Sequence, residues 1–470
     1  MDLKSQIRTR FEQLAKDRSE WIKRSRYYYE DQKKYFRFLI PEGSSVLELG
    51  CATGGLLASL KPGRGLGIDF SGEMIAQARR RFPELEFRRG DIECLNDLGE
   101  TFDFIVLCDV VGLLLDIEVT LRSLHRFCRA DTRVVISYYN FLWEPVLKLG
   151  ERIGLKMPQR HQNWLSLSDI SNLLSLSDFQ IVKEETRLLV PKGFPLISSF
   201  VNRYLAPLPG LRRLCLSCYM VARSQKQSRK GDYGSTIVIP CLNERGNIAT
   251  AVERLPEFGS RQEIIFVDGH STDGTREEIR RVIEANPDID IHLLVQDGSG
   301  KGDAVRKGFC EAKGDILIIL DADLTVPPED LPKFYRVLAE GKGEMVNGCR
   351  LVYPMENQAM RLLNLAGNKF FGFVFSWLLN QRIKDTLCGT KAIFREDYQK
   401  IVSDRGYFGE FDPFGDFDLI FGASKANLKL VEVPIRYRER TYGSTNISRF
   451  RHGWLLLKMA ALAFRKLKAL

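Results

Sequence analysis

Two aspartates one residue apart, Asp321 and Asp323, close an apolar run in GDILIILDADLT (314–325). Carboxylates at that spacing can grip one hard divalent cation, and such a cation neutralises charge that builds on a departing diphosphate. A lone Asp-x-Asp is common and usually a solvated turn, but three more segments accompany this one. IVIPCLNERGNI carries Pro240, Asn243 and Glu244 where an apolar run gives way to a helical pattern. IIFVDGHSTDGT ends a second run at Asp268, with Ser271, Asp273 and Gly274 at the next helix entry. GSGKGDAVRKGF sets Lys301 among glycines, which suits a diphosphate.

A second chemical signal lies far upstream. In VLELGCATGG the strand Val46–Leu49 carries Glu48 and ends at Gly50, and Gly54 and Gly55 open a helix. Glycines there allow a tight turn and the close approach of a ligand to backbone amides. A second strand ends in Asp69, about 20 residues on, where an acid can accept both hydroxyls of a ribose. A third ends at Asp91-Ile92, and FDFIVLCDVV and TRVVISYYN supply a fourth and a fifth. Taken singly, Asp69 and Asp91 could as well cap helices; in this order they indicate binding. Gly50-x-x-x-Gly54 lacks the spacing of a nicotinamide dinucleotide fingerprint. His125, beside Arg122 and Arg126, reads as part of a solvated helical face, whereas His161 and Trp164 could reach the pocket.

The elements that must position these residues follow from pattern and length. The chain has 470 residues, 44% hydrophobic and 27% charged, enough for about two or three domains at roughly 150 residues each. Short β-branched runs alternating with helical patterns indicate α/β folds with parallel sheets in both halves. The polar, basic RSQKQSRKGDYGS (223–235) reads as a linker between domains at 1–222 and 236–470. The ten cysteines form no framework, and Cys215–Cys218 has no second pair to complete a zinc site. The charged start has no secretory h-region, and no stretch reaches the ~18 apolar residues of a membrane span. A cytoplasmic protein is the default.

The net charge of +9 has a location: residues 436–470 hold nine Lys/Arg and one acid, Glu439. HGWLLLKMAALAFRKLKAL, with Lys458, Arg465, Lys466 and Lys468 spaced through it, suits a helix lying in a bilayer interface. The apolar NKFFGFVFSWLL (368–379) either adds a second such surface or packs inside. No basic–aromatic groove or known module favours nucleic acid.

The upstream series resembles the class I S-adenosylmethionine-dependent methyltransferases over roughly residues 40–222, which implies a Rossmann-like domain binding S-adenosyl-L-methionine. By that resemblance Glu48, Gly50 and Gly54 form the first motif, Asp69 holds the ribose, and Asp91 and Ile92 lie beside the adenine. The downstream series resembles the family 2 glycosyltransferases of the GT-A fold over about residues 234–445. That implies a nucleoside pocket lined by Pro240, Asn243, Glu244 and Asp268, a diphosphate met by Lys301, and Mg²⁺ or Mn²⁺ on Asp321 and Asp323. Many relatives read VDDGS where this chain has Val267-Asp268-Gly269-His270-Ser271, which leaves UDP against GDP open.

Within that family the chain most resembles dolichyl-phosphate mannosyl- and glucosyltransferases. NGCRL looks like their Gly-x-Arg strand end, with Arg350, and IKDTLCGTKAIFRE like their acceptor loop, with Asp385 and Gly389. VEVPIRYRERTYGSTNISRF looks like the segment whose Arg440 and Ser444 reach an acceptor phosphate, although Asn446 stands where a Ser-Lys pair is usual. The implied reading is a bifunctional enzyme, peripheral on the inner face of a membrane, with a polyprenyl phosphate acceptor met by Arg350, Arg361, Arg440 and Ser444. A phosphate monoester is already anionic near neutral pH, since its second pKa is about 6. A hydroxyl acceptor on a saccharide or natural product would instead need a base, from Asp385, Asp412 or Asp416. A first half serving only for binding or docking is the other alternative.

Overall fold

The computed structural model describes residues 3–159, 162–353, 362–403, 405–407, 416–440, 442 and 449–469. The chain divides into two compact units, residues 1–228 with 468–470, and residues 229–467.

The first unit opens with helices Leu3–Ala15, Arg18–Arg24 and Arg26–Leu39. Seven strands follow: β1 Ser45–Leu49, β2 Arg64–Asp69, β3 Glu86–Arg89, β4 Phe104–Cys108, β5 Arg133–Tyr139, β6 Phe179–Arg187 and β7 Ser217–Ser224. Their order is β3-β2-β1-β4-β5-β7-β6, parallel from β3 to β5, with β7 antiparallel to both neighbours. Val46, Leu47 and Leu49 are wholly buried, as expected of a strand covered on both faces. Gly50 and Gly54 take left-handed φ of +78° and +74°. A Cβ on Gly54 would sit 2.6 Å from the Phe87 ring, so both glycines are needed for the turn out of β1.

The second unit holds β8 Gly234–Cys241, β9 Arg261–Asp268, β10 Asp290–Val295, β11 Ile316–Ile319, β12 Met345–Cys349, β13 Lys391–Phe394 and β14 Leu430–Pro434. The order is β10-β9-β8-β11-β13-β12-β14, with β13 antiparallel to β11 and β12. Ile237, Ile239, Phe266, Ile316 and Ile318 form the centre of its core. In each sheet the first strand of the unit lies between strands on either side, β1 between β2 and β4, β8 between β9 and β11. The crevice beyond the C-terminal ends at such a reversal is where open α/β sheets bind ligands.

Both sheets are mixed rather than all parallel. The apolar runs of β7 and β13 are buried on both faces like their parallel neighbours, and burial pattern does not encode strand direction. His125 is also corrected: it is buried, with Nδ1 2.7 Å from the Ser224 hydroxyl, Nε2 2.7 Å from the Ser177 carbonyl, and its ring stacked on Phe179. All ten cysteines are free thiols. In the helix Leu362–Leu379, Asn368, Phe371, Phe375, Leu378 and Leu379 face inward while Phe370 and Phe373 are exposed. Among the described residues no helix is long and apolar enough to cross a membrane. Lys468 is buried in the first unit, with its ammonium 2.6 Å from Glu185, so it is not part of a solvated basic face.

Candidate functional sites

The three opening helices close over the C-terminal ends of β1, β2 and β4 and leave a cavity of about 190 Å³. Glu48, Gly50, Asp69, Asp91 and Ile92 all line it, and Gly54 packs behind on Phe87. Glu48 accepts a hydrogen bond from the Leu57 amide at 3.0 Å, and burial pushes its carboxyl up to about 8. Asp69 accepts from the amides of Ala52 and Ser71, each at 2.9 Å, and burial raises its pKa despite them. The Asp91 carboxylate accepts from the Glu93 amide and lies 2.5 Å from the ammonium of Lys4, which descends from the first helix.

Two residues in this cavity carry no motif. Asp109, just past β4, has a left-handed φ of +54° that turns its carboxylate inward. There it accepts from the Tyr28 hydroxyl at 2.7 Å and the Gln32 amide at 2.9 Å, and burial raises its pKa. Arg18, from the second helix, also lines the cavity. Asp109 stands at the strand end in FDFIVLCDVV, the position at which the motif acids also stand; nothing in the spacing marks Arg18.

In the second unit Asp321 and Asp323 follow β11 at the sheet edge, and the left-handed Leu324 turns the chain so that both face the crevice. Lys301, at the start of the helix Lys301–Glu311, places its ammonium 2.5 Å from Asp321. The buried Lys391 of β13 adds further positive charge, and these cations hold the Asp321 carboxyl below its usual range against the effect of burial. Asp323 is shifted the other way, by burial and by repulsion from Asp321. A Cβ on Gly389 would lie 2.1 Å from the Asp321 carboxylate, so only glycine leaves room there.

Glu244 follows β8, and the segment after β14 brings Arg440 to within 2.6 Å of Glu244 and 3.4 Å of Asp323. Asn243, left-handed at φ +59°, accepts from the Thr272 amide and so ties the two strand-end loops together. Asp268, at the end of β9, is wholly buried and gripped by Arg276 through Nε at 3.1 Å and Nη2 at 2.6 Å. The chain therefore brings Glu244, Lys301, Asp321, Asp323 and Arg440 together at one sheet edge.

A family model described as glycosyl transferase family 2 matches residues 236–402, and one described as methyltransferase domain matches 21–184. The glycosyltransferase AglJ of Haloferax volcanii is 31% identical over 222 residues, 47% of this chain and 68% of that protein. The chain belongs to glycosyl transferase family 2. It carries a methyltransferase domain ahead of the glycosyltransferase unit, and it is a transferase. The dolichyl-phosphate hexose transferase of the same organism is 29% identical over 46% of this chain and 88% of its own length. The dolichol-phosphate mannosyltransferase of Saccharomyces cerevisiae is 38% identical over 22% of this chain, and the match spans only 40% of that protein.

Two residues expected in the glycosyltransferase site hold each other. Arg350 donates through Nε at 2.7 Å and Nη2 at 2.8 Å to the two oxygens of Asp385, which also accepts from Asn368 at 2.8 Å. Arg350, its guanidinium lying over the Tyr437 ring and its own amide also donating to Asp385, fixes that side chain rather than pointing a free fork into the crevice. Pro240 is half-buried in β8, beside the crevice edge. Arg361, Ser444, Asp412 and His161 lie outside the described residues, as does the side chain of Asp416. Lys391 and Arg276 escaped the sequence reading. A lysine inside the apolar KAIF was the available signal for the first, whereas Arg276 looks like any exposed helical arginine.

Proposed function

We propose that the glycosyltransferase unit moves a sugar from a UDP- or GDP-sugar to a polyprenyl phosphate or similar lipid phosphate, and that the methyltransferase unit methylates a partner product from S-adenosyl-L-methionine. The observation that carries the acceptor reading is Arg440, whose guanidinium stands at both Glu244 and Asp323. A phosphate monoester arrives ionised and needs a guanidinium to bind and orient it. A hydroxyl acceptor needs a base instead. Asp385 is a weak one: Arg350 outweighs its burial and holds its carboxyl below the usual range. Arg361 and Ser444 would share the phosphate with Arg440. Relatives named for dolichyl phosphate acceptors support the same class.

Asp321 and Asp323 are hard oxygen donors one residue apart, and they fit Mg²⁺ or Mn²⁺. Bound there, the ion would supply charge neutralisation to the departing diphosphate. Until then Lys301 and Arg440 balance these acids. Both cations are then at hand for the phosphates of donor and acceptor, while Glu244 and Asp268 serve the nucleoside side.

In the methyltransferase unit, Asp69 would meet the ribose and Asp91 and Ile92 the adenine, with Glu48 and Gly50 shaping the turn. Glu48, Asp69 and Asp109 line the cavity without a side-chain cation bonded to them in the described structure. That suits a cofactor bringing its own sulfonium and ammonium charges. Peripheral contact at the cytoplasmic face of a membrane would use the exposed Trp454, Leu457, Lys458 and Arg465 along and just after the helix Arg449–Ala463.

The test supplies purified protein with radiolabelled UDP- or GDP-sugar, Mg²⁺ or Mn²⁺, and polyprenol with or without its phosphate. Label should enter the organic phase only with the phosphorylated lipid. Label found only on a free saccharide would sink the acceptor reading.

A further inference from the structure

We propose that the methyltransferase unit carries its own membrane contact, docking on an anionic bilayer through residues 141–155 and 192–214. This surface belongs to the first unit and goes beyond the activities proposed above.

The loop between β6 and β7 pushes apolar side chains into water. Leu196 is 88% exposed and takes a left-handed φ of +61°, a conformation that costs a branched side chain energy and gains no packing in return. Ser198 holds the tip in this shape: its hydroxyl donates to the Lys192 carbonyl at 2.5 Å and accepts from the Phe194 amide at 2.8 Å. Phe194, Ile197 and Phe200 are each more than half exposed around it. The helix Glu144–Arg152 buries none of its residues and exposes Val146 and Leu149, with Ile153 just beyond. The two segments meet where the Trp143 indole donates to the Leu214 carbonyl at 2.8 Å, and exposed apolar groups on both mark a contact surface.

Charge chooses the occupant. Residues 188–216 contain Lys192, Arg203, Arg212 and Arg213 and no acid. On the helix, Glu144 is paired with Lys148 at 2.5 Å and Glu151 with Lys156, while Arg152 is exposed. An apolar tip within a basic collar is the pattern of an interfacial anchor on anionic headgroups. A protein partner would need complementary pockets for Leu196 and Phe200; a bilayer needs only depth and negative charge.

The same segments pack against residues that border the methyl-transfer cavity. Trp143 and Leu147 pack in one cluster with Tyr28 and Tyr139, and Tyr139 lines the cavity. Asn202, from the loop, donates to the Tyr27 hydroxyl at 3.1 Å.

The full chain is sedimented with vesicles of phosphatidylcholine alone or mixed with phosphatidylglycerol, no substrate present. A failure of the sugar- or methyl-transfer reading therefore leaves the result untouched. Leu196→Asp/Phe200→Asp should lower binding to the anionic vesicles roughly tenfold or more, with an unchanged circular-dichroism spectrum and thermal midpoint as the check on folding. Leu196→Trp should blue-shift its emission on those vesicles and be quenched by brominated lipid, a readout that survives if the double variant misfolds. Wild-type binding by the double variant, or loss only in Trp454→Asp/Leu457→Asp, overturns the proposal. So does equal affinity for neutral vesicles. A double variant that instead turns a dimer into a monomer, with vesicle binding unchanged, assigns this face to a second copy and overturns it too.

Discussion

The two sites are built on the corresponding edges of two separate sheets and answer their acids in opposite ways. In the methyltransferase unit Glu48, Asp69 and Asp109 are met by backbone amides, a tyrosine hydroxyl and a glutamine amide. Burial then pushes all three carboxyls upward. In the glycosyltransferase unit the acids are met by cations: Asp268 by Arg276, Asp321 by Lys301, Glu244 by Arg440 and Asp385 by Arg350. The first arrangement leaves no side-chain cation bonded to these acids in the described structure, so a ligand that arrives positive meets no partner to displace. The second is already neutral, so a metal and a diphosphate can enter by exchanging partners with charges in place, without burying a new net charge.

Substitutions that remove one side of that balance test the contrast. The largest effect is expected from Arg350→Ala, which strands the wholly buried Asp385 carboxylate. Breaking a buried pair costs about 3–5 kcal/mol, read as a lower urea midpoint for the glycosyltransferase unit. Replacing both partners with apolar residues should recover most of it; no recovery would mean that Arg350 matters for something other than its partner.

Asp323→Ala comes next. If the pair holds the metal as proposed, the loss of several kcal/mol of transition-state stabilisation should lower sugar transfer about a thousandfold. Chelation by EDTA should do the same reversibly. S-adenosylmethionine binding should not change, and transfer retained within a few-fold would break the assignment of the metal to this pair. Asp69→Ala is the mirror experiment. Loss of hydrogen bonds to a charged group should weaken S-adenosylmethionine binding roughly ten- to a hundredfold by calorimetry, with sugar transfer intact.

The smallest effect is a slope. Glu48 titrates at about 8 in the native cavity against an ordinary 4.5, so the folded unit holds the extra proton between those values. Its stability should fall as pH rises through that window, by at most about 1.4 kcal/mol per pH unit. Glu48→Gln should flatten that dependence in a pH series of urea midpoints. A carboxyl paired like Asp321, held low by Lys301, predicts the reverse sign, so the two slopes read the contrast directly.

Much of both sites was legible because strand ends are local. An apolar run that stops at an acid or a glycine turn puts that residue on the binding edge, and Glu48, Asp69, Asp91, Asp321 and Asp323 all arrived there for that reason. Pairing between distant elements was not legible. Arg350 and Asp385 are 35 positions apart, and nothing in either segment says that they take each other. Arg18 and Lys4 enter the cavity only because the opening helices fold over the sheet. His125 looked solvated between two arginines, yet its helix turns it onto Phe179. Strand direction was hidden too, since β7 and β13 are as apolar as the parallel strands beside them.

The return of Lys468 to Glu185 has a consequence in time. The two groups are 283 positions apart, and the glycosyltransferase unit is encoded between them. At ribosomal speeds the methyltransferase unit waits roughly 15–60 s between making its buried carboxylate and receiving the ammonium that neutralises it. That sets an order of events on the ribosome: the intervening domain emerges before the first-made domain receives this closing contact.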